Sequence, residues 1–316
     1  MTTSLRHTGL GLGATASVNT TVGAPGPTAV FTTDLLPDPA GCQTLLHRAY
    51  PTLRLKVGFS KAIFVAPGAD GRFLSRFLQL TAATDTTFEV APGGRDCVNS
   101  TVAAYPAIAA GTTATIVNAD TSLVVTLSPS LRCGAVDVEV RPATPVRPAD
   151  VVLATQGCPG VLALSLNNPY VLLDADAAGL RATDLLRLAG PADPRQLHPF
   201  THAVAQVRTQ LALPDGGDLP KLAVLAVKGR DTIIARTIYL GRWHPGLPLT
   251  GAITFLTAAL VPTSPWYHRD VLLHGLRLRT PAGDIRVSTG TDPHGALSSF
   301  HIPAREVTRD VAAYFV

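Results

Sequence analysis

The sequence predicts an α+β protein of two pseudo-symmetric domains, with the functional site in the cleft between them. Three observations carry this reading. Short β-rich runs broken by Pro and Gly fill the chain from Thr28 onward, few segments carry a helical pattern, and the two halves echo one another. When Lys61 is aligned with Lys221 without gaps, Ala66 falls on Ala226, Arg76 on Arg236 and Leu80 on Leu240. In each half a Gly-containing turn then leads into a helix of small residues, at Cys97 in one and at Thr250 in the other. Two unrelated β-hairpins of similar composition would also align this way, so both explanations stand at the level of sequence. The Pro/Arg-rich passage 141–150 is the best linker. It separates a loose small-residue arm (1–26) and an N-terminal domain (27–148) from a C-terminal domain (149–316), whose last segment is free to return to the first.

In chain order, strands are expected at 62–67 (AIFVAP), within 114–128 (ATIVNADTSLVVTLS), and at 136–142, 161–166 and 170–175. The alternation in TSLVVTL and VDVEV is that of half-buried strands. Helical segments are expected at 99–109, kinked or interrupted by Pro106, at 183–188, at 202–211 and at 251–260, where Thr250 is a good N-cap.

Composition excludes several functional classes. Of 316 residues 46% are apolar and 15% charged, ample for a core, and the net charge is only +4. Apart from Lys56, Lys61, Lys221 and Lys228 the basic residues are arginines, scattered without a basic run, so no nucleic-acid partner is expected. The longest lipophilic stretch, 252–261, is about half what a bilayer needs, and no basic segment followed by an apolar core opens the chain. A cytoplasmic protein with no membrane partner is expected, as a monomer or homodimer. Cys42, Cys97, Cys133 and Cys158 lie far apart without a C-x-x-C spacing, and His198 and His202 lack a third ligand, so neither a metal site nor a cofactor is expected.

Chemistry concentrates in three places. The turn 93–100 (GGRDCVNS) sets Cys97 where a helix begins. There the positive end of the peptide dipoles favours thiolate, and unpaired N–H groups favour an anion. The alternative is a small buried hydrophobe, against which Asp96, Asn99 and Ser100 argue. Lys61 follows Ser60 at the head of an apolar strand; drawn into a cleft it becomes a base near neutral pH, whereas most lysines are surface charges. The third place, 241–252 (GRWHPGLPLTGA), offers His244 to orient a substrate and small residues, Gly251 and Ala252, to admit a carboxylate; a plain capped loop reads nearly as well. Asn168, in Asn167-Asn168-Pro169, is placed for a turn or a cleft rim.

In order, these pieces resemble the PrpF family of the diaminopimelate-epimerase superfold, to which the PhzF isomerases also belong. Thr28-Ala29-Val30-Phe31 with Asp34-Leu35-Leu36-Pro37 resembles the family opening, and Ser60 to Val65 its Ser-Lys-Val-Ala-Ile-Val strand. Asp96-Cys97-Val98-Asn99 is similar to Asn-Cys-Gly-Asn, and Val117 to Thr121 to the strand that follows. Asn168-Pro169, Pro220 to Ala223, Leu240 to His244 and Thr250 to Ala252 keep the family order. The chain departs from it in lacking the Arg-Gly-Gly-Thr-Ser-Lys-Gly loop after Phe31, in Asp96 and Val98, and in a Gly-rich insertion shortened to about 133–150.

The resemblance implies that each domain is a mixed β-barrel-like sheet around a central helix. It also implies a cofactor-independent isomerase that moves a double bond along an unsaturated carboxylic acid, with Lys61 and Cys97 as the catalytic pair. Ser60, Ser100, Asn168, His244, Thr250 and the backbone around Val98-Asn99 and Gly251-Ala252 would hold the substrate. The superfold's second cysteine is replaced near Thr250, which disfavours a two-thiol racemase. The family's association with antibiotic precursors implies specialised biosynthesis, with a pyrroline or diene carboxylate as substrate. An epimerase of a small acid, or a degenerate protein that only binds, are the rival readings.

Overall fold

The computed structural model describes residues 14–315 except positions 25, 56, 82–83, 85, 92–95, 110, 167, 215–218, 240, 245 and 269; the side chains of 311–315 are also left undescribed. Strands β1 (Ala14–Thr21) and β2 (Thr28–Thr33) pair antiparallel, and helix α1 (Pro39–Arg54) crosses over to β3 (Lys61–Pro67), which lies parallel to β2 and turns back into β4 (Phe73–Thr81). After the short β5 (Glu89–Val90) come helix α2 (Val98–Ile108) and strands β6 (Ala114–Asn118), β7 (Val124–Pro129) and β8 (Ala135–Arg141).

The second half repeats this order. A short β9 (Val152–Leu153) flanks β10 (Val161–Ser165), which pairs with β11 (Pro169–Asp174); helices α3 (Ala182–Leu185) and α4 (Pro194–Gln210) cross to β12 (Lys221–Val227), parallel to β11, and β13 (Thr232–Tyr239) turns back on it. Then follow β14 (Arg242–Trp243), helix α5 (Leu249–Ala259), helix α6 (Val271–His274) and strands β15 (Leu276–Thr280), β16 (Gly283–Thr291) and β17 (Leu297–Phe315).

The repeat is real to the residue. In the first hairpin Phe64 faces Arg76 across the ladder, and in the second Val224 faces Arg236, so the ungapped alignment holds in register. The 19-residue β17 joins the halves: it pairs first with β16, then with β8, and at its end with β1. Through it β1, β2, β3, β4, β6, β7, β8 and β17 close into a mixed eight-stranded barrel. The second sheet runs from β9 through β10–β13 and β15 to β16 and β17, and an isolated bridge, Val146↔Leu297, ties the segment before β9 to the start of β17.

Each sheet wraps one 11-residue helix, α2 or α5. A helix apolar on all sides has to be buried on all sides, and α5 is buried from end to end. Strand parity fixes which side chains point at these helices. Ile63 and Val65 pack with Ala103 and Ala104 of α2 while Ala62 and Phe64 face α1. Likewise Ala223 and Leu225 join the core that holds α5, and Val224 and Ala226 face α4. Lys61 and Lys221 share the parity of the inward set.

Three expectations need correction. Residues 14–21 are a strand of the barrel rather than part of a loose arm; 1–13 lie outside the described residues. Its polar residues are buried against α2: Asn19 Nδ2 donates to Ala103 O (2.7 Å) and Thr21 Oγ1 to Asn99 O (2.9 Å). Each such bond is worth about 0.5–1.5 kcal/mol net, which outweighs a weak local strand signal. Helix α1 is absent from the sequence reading: Asp38 is its N-cap, accepting from Gly41 N, Pro39 opens the first turn, and Pro51 falls in the last. Of the two effects expected at Pro106, interruption does not occur: helix α2 runs through it to Ile108. No described helix is long and apolar enough to cross a membrane.

Candidate active site

The N-terminal ends of β3, β12, α2 and α5 meet around one cleft that opens to solvent. The sequence accounts for this convergence. Lys61 and Lys221 each head a parallel-crossover strand, and in each half the chain returns from the adjoining hairpin to start the buried helix at the same end.

Ser60, Lys61, Cys97, Asn168, His244 and Thr250 line this cleft together. Cys97 is the N-cap residue of α2, with extended backbone (φ −144°, ψ 96°), and its carbonyl accepts from Ser100 N (2.9 Å) and Thr101 N (3.1 Å). The preceding turn residues 93–95 lie outside the described residues. Lys61 is 4% exposed and its Nζ donates to Gly26 O (3.3 Å). Burial lowers its proton affinity, the negative form of Cys97 raises it, and the Lys221 charge lowers it again. A thiol far away in sequence thus bears on the protonation of this amine.

His244 is pushed down to about 3, first by burial and then by Lys61, Lys221 and Arg236. Its Nδ1 accepts from Gly246 N (3.4 Å), so the neutral ring carries its proton on Nε2. His244 is therefore a hydrogen-bond donor at neutral pH, not a cation.

Val98, Asn99, Ser100, Gly251 and Ala252 are not part of the cleft lining. Val98 is buried in the core; Asn99 Nδ2 donates to Leu247 O (3.3 Å), tying α2 to the approach of α5; and Ser100 Oγ pairs with Thr28 Oγ1 (3.1 Å). Gly251 lies under Tyr170: a Cβ built on it would sit 2.9 Å from the Tyr170 hydroxyl. Pro248, not Thr250, is the N-cap of α5, and the Ala252 N–H donates to Pro248 O (3.1 Å). The backbone of Ala252 is already inside the helical ladder and cannot hold a carboxylate, as the sequence had suggested. The N–H groups that precede the ladder are those of the first three helical residues, among them Val98 and Asn99 in α2 and Thr250 and Gly251 in α5.

The sequence did not assign several lining residues. Asp96 is 5% exposed; its Oδ1 accepts from Thr121 Oγ1 and its carbonyl from Asn168 Nδ2, both at 2.9 Å. Asn168, from the second half, thereby fixes the backbone next to Cys97. Gln79, opposite Lys61 on β4, donates from Nε2 to Ser60 O (2.8 Å) and holds the strand start. Lys221 lines the same cleft with its ammonium 4.7 Å from the centroid of the Tyr239 ring. Its alignment with Lys61 was the signal that could have found it. Among the described residues no cluster of His, Cys, Asp or Glu is placed to hold a metal ion, and His202 sits against Cys158 (3.6 Å) and Gln206 (3.2 Å).

No protein-family model matches the sequence, and no curated protein matches it. Solved structures do match in shape over nearly the whole chain. A methylitaconate-delta-isomerase crystal structure superposes with a TM-score of 0.64 at 14% identity, covering 96% of this chain and 95% of that one. A probable proline racemase from Agrobacterium radiobacter K84 gives 0.56 at 11% identity, covering 96% and 92%, and a phenazine-biosynthesis PhzC/PhzF protein from Clostridium difficile gives 0.52 at 10%, covering 96% and 99%. At these identities the likeness is one of fold, and the paired sheets around buried helices are the diaminopimelate-epimerase and PhzF architecture.

Proposed function

We propose that this protein is a cofactor-independent isomerase that shifts a double bond in an unsaturated carboxylic acid. The observation that carries this reading is the cleft that Lys61 and Cys97 line together, with the charge of Cys97 acting on Lys61. The naming of one matching fold as a methylitaconate-delta-isomerase, and of another as a probable proline racemase, supports proton-transfer chemistry of this general class.

Lys61, as neutral amine, takes a proton from the carbon acidified by the conjugated carboxylate. The electron pair moves into the extended enolate, and Cys97 Sγ–H returns a proton at the vinylogous carbon. The substrate gains and loses one proton, no electrons leave it, and solvent exchange resets the pair. The dipole of α2, whose N-cap Cys97 lines the cleft, stabilises the enolate charge. A positioned proton-transfer group typically contributes about 10²–10⁴-fold. A pyrroline or diene carboxylate in specialised biosynthesis is the proposed substrate, supported by the shortened 133–150 region relative to the PrpF pattern.

Incubation with candidate acids in D₂O, followed by NMR, tests this. Deuterium at the far end of a shifted alkene is expected. Deuterium at the α-carbon with inversion would make the protein an epimerase, and none in any acid would make it a binding protein. Near-normal turnover by Lys61→Ala would overturn the assignment of roles.

A further inference from the structure

A second cavity adjoins the cleft. Asn168 and Thr250 line both spaces, and beyond them the second is walled by Leu123, Val140, Leu166, Ile253 and Phe300. Leu123, Val140, Ile253 and Phe300 are buried members of the core that holds α5. Both halves contribute: Val140 and Phe300 face one another across the β8–β17 ladder, Leu166 follows β10, and Ile253 lies on α5. Thr250, Ile253 and Thr254 stand at i, i+3 and i+4 on one face of α5, so the cavity continues from the cleft along that helix for one turn, about 5.4 Å. Thr254 Oγ1 is turned to its own helix, donating to Thr250 O (3.0 Å), and beyond its mouth the cavity presents hydrocarbon. The mouth is at the Cys97 end of the cleft, because Asn168 is bonded to the carbonyl of Asp96, one residue before the thiol. Protein interiors pack densely, and a void among aliphatic side chains forfeits contacts; here that cost falls beside the reacting groups.

We propose that this cavity is an alkyl subsite: the unsaturated acid carries a short hydrocarbon side chain that leaves the cleft past Asn168 and Thr250 and packs against Val140, Ile253 and Phe300. The proposal rests on the reading of the cleft as an acid-binding site, and it narrows the substrate to acids with an apolar branch. An ionised group in that space would lose its hydration without a partner among the described lining residues. Val140, Ile253 and Phe300 do not line the cleft of Lys61 and Cys97, so they determine specificity and take no part in proton transfer.

Protection of Cys97 reads occupancy without the natural substrate. The protein is alkylated with iodoacetamide in the presence of straight-chain carboxylates from acetate to hexanoate and, in parallel, of the corresponding neutral amides. Mass spectrometry of the Cys97 peptide gives the half-protecting concentration of each, and the exposed Cys133 corrects for effects on the reagent. Protection is expected to strengthen about fourfold per added methylene and then to level off once the cavity is full. Ile253→Phe and Val140→Phe, which fill the cavity, should flatten the series and leave protection by acetate unchanged. Phe300→Leu, which enlarges it, should move the plateau to longer chains, and decides alone where the filled variants do not fold. No dependence on chain length in the parent, the same slope in both filled variants, or an unmoved plateau in Phe300→Leu would overturn the proposal. The acid reading is judged separately. Chain-length dependence with no advantage of carboxylates over amides keeps the subsite and removes the acid, whereas a carboxylate advantage that ignores chain length keeps the acid and removes the subsite.

Discussion

Pro248 stands before α5 where Cys97 stands before α2, each preceding an 11-residue buried helix. The pseudo-symmetric scaffold thus offers two equivalent helix starts and arms one of them with a thiol. A reaction that inverts a stereocentre with two thiols needs both. A double-bond shift needs a base and an acid on the path of one proton, the roles proposed for Lys61 and Cys97.

Replacing Cys97 by Ala is expected to lower turnover about 10²–10⁴-fold while leaving the melting temperature within a few degrees of the parent. The thiol makes no side-chain cap hydrogen bond, so α2 loses little on its removal. Deuterium NMR on recovered acid measures the first effect and calorimetry the second.

Lys61 separates activity from stability in the opposite direction. Its proton affinity is lowered by burial, so the folded chain binds fewer protons than the unfolded one below the ordinary lysine pKa of 10.5, and the side chain costs stability at neutral pH. Lys61→Met is expected to abolish exchange and to melt at an equal or higher temperature. In the parent, kcat/KM rises with pH through a limb lying below 10.5, reported by exchange rates across the alkaline range.

His244 makes a second pH prediction. Its folded value near 3 lies below the unfolded 6.5, so below pH 6.5 the unfolded chain takes up a proton that the native chain refuses. Stability is fully present above 6.5 and falls as pH drops toward 3, by at most about 1.4 kcal/mol per pH unit for one group. Urea titrations at pH 6.5 and 4.5 should show a larger loss for the parent than for His244→Gln. Equal losses would remove His244 from the buried, neutral role.

Gly251→Ala places a methyl group 2.9 Å from the hydroxyl of the fully buried Tyr170 and 3.4 Å from Phe255 Cζ. Overpacking of this kind costs about 1–3 kcal/mol. Adding Tyr170→Phe should recover part of that loss in a thermal-melt cycle, since the closest atom is then gone.

What the sequence made legible follows from what repeats at short range. The β3–β4 and β12–β13 hairpins were visible because strand alternation fixes register, and Arg76 and Arg236 mark the same rung in each. β1 was not, since Asn19 and Thr21 read as loop residues until the groups that satisfy them, on a helix some 80 positions later, are in place. α1 was hidden by Pro39 and Gly41, which turn out to belong to its capped first turn. In the site, Lys61 and Cys97 stood out by their local setting. Lys221 and Asp96 become site residues only when the halves close on one another, Asn168 reaching across to Asp96 O. The start of α5 was misplaced because Thr250 is a better capping type than Pro248, yet the chain enters the helix two residues earlier.

The most direct test of the central claim is o-phthalaldehyde, which condenses with an amine and a thiol into a fluorescent isoindole only when the two are adjacent. The parent protein is predicted to form this adduct between Lys61 and Cys97, identified by mass spectrometry of the joined peptides and absent in Lys61→Met and Cys97→Ser. Failure to form it, or an adduct at Cys97 that survives undiminished in Lys61→Met, would contradict a shared amine–thiol site.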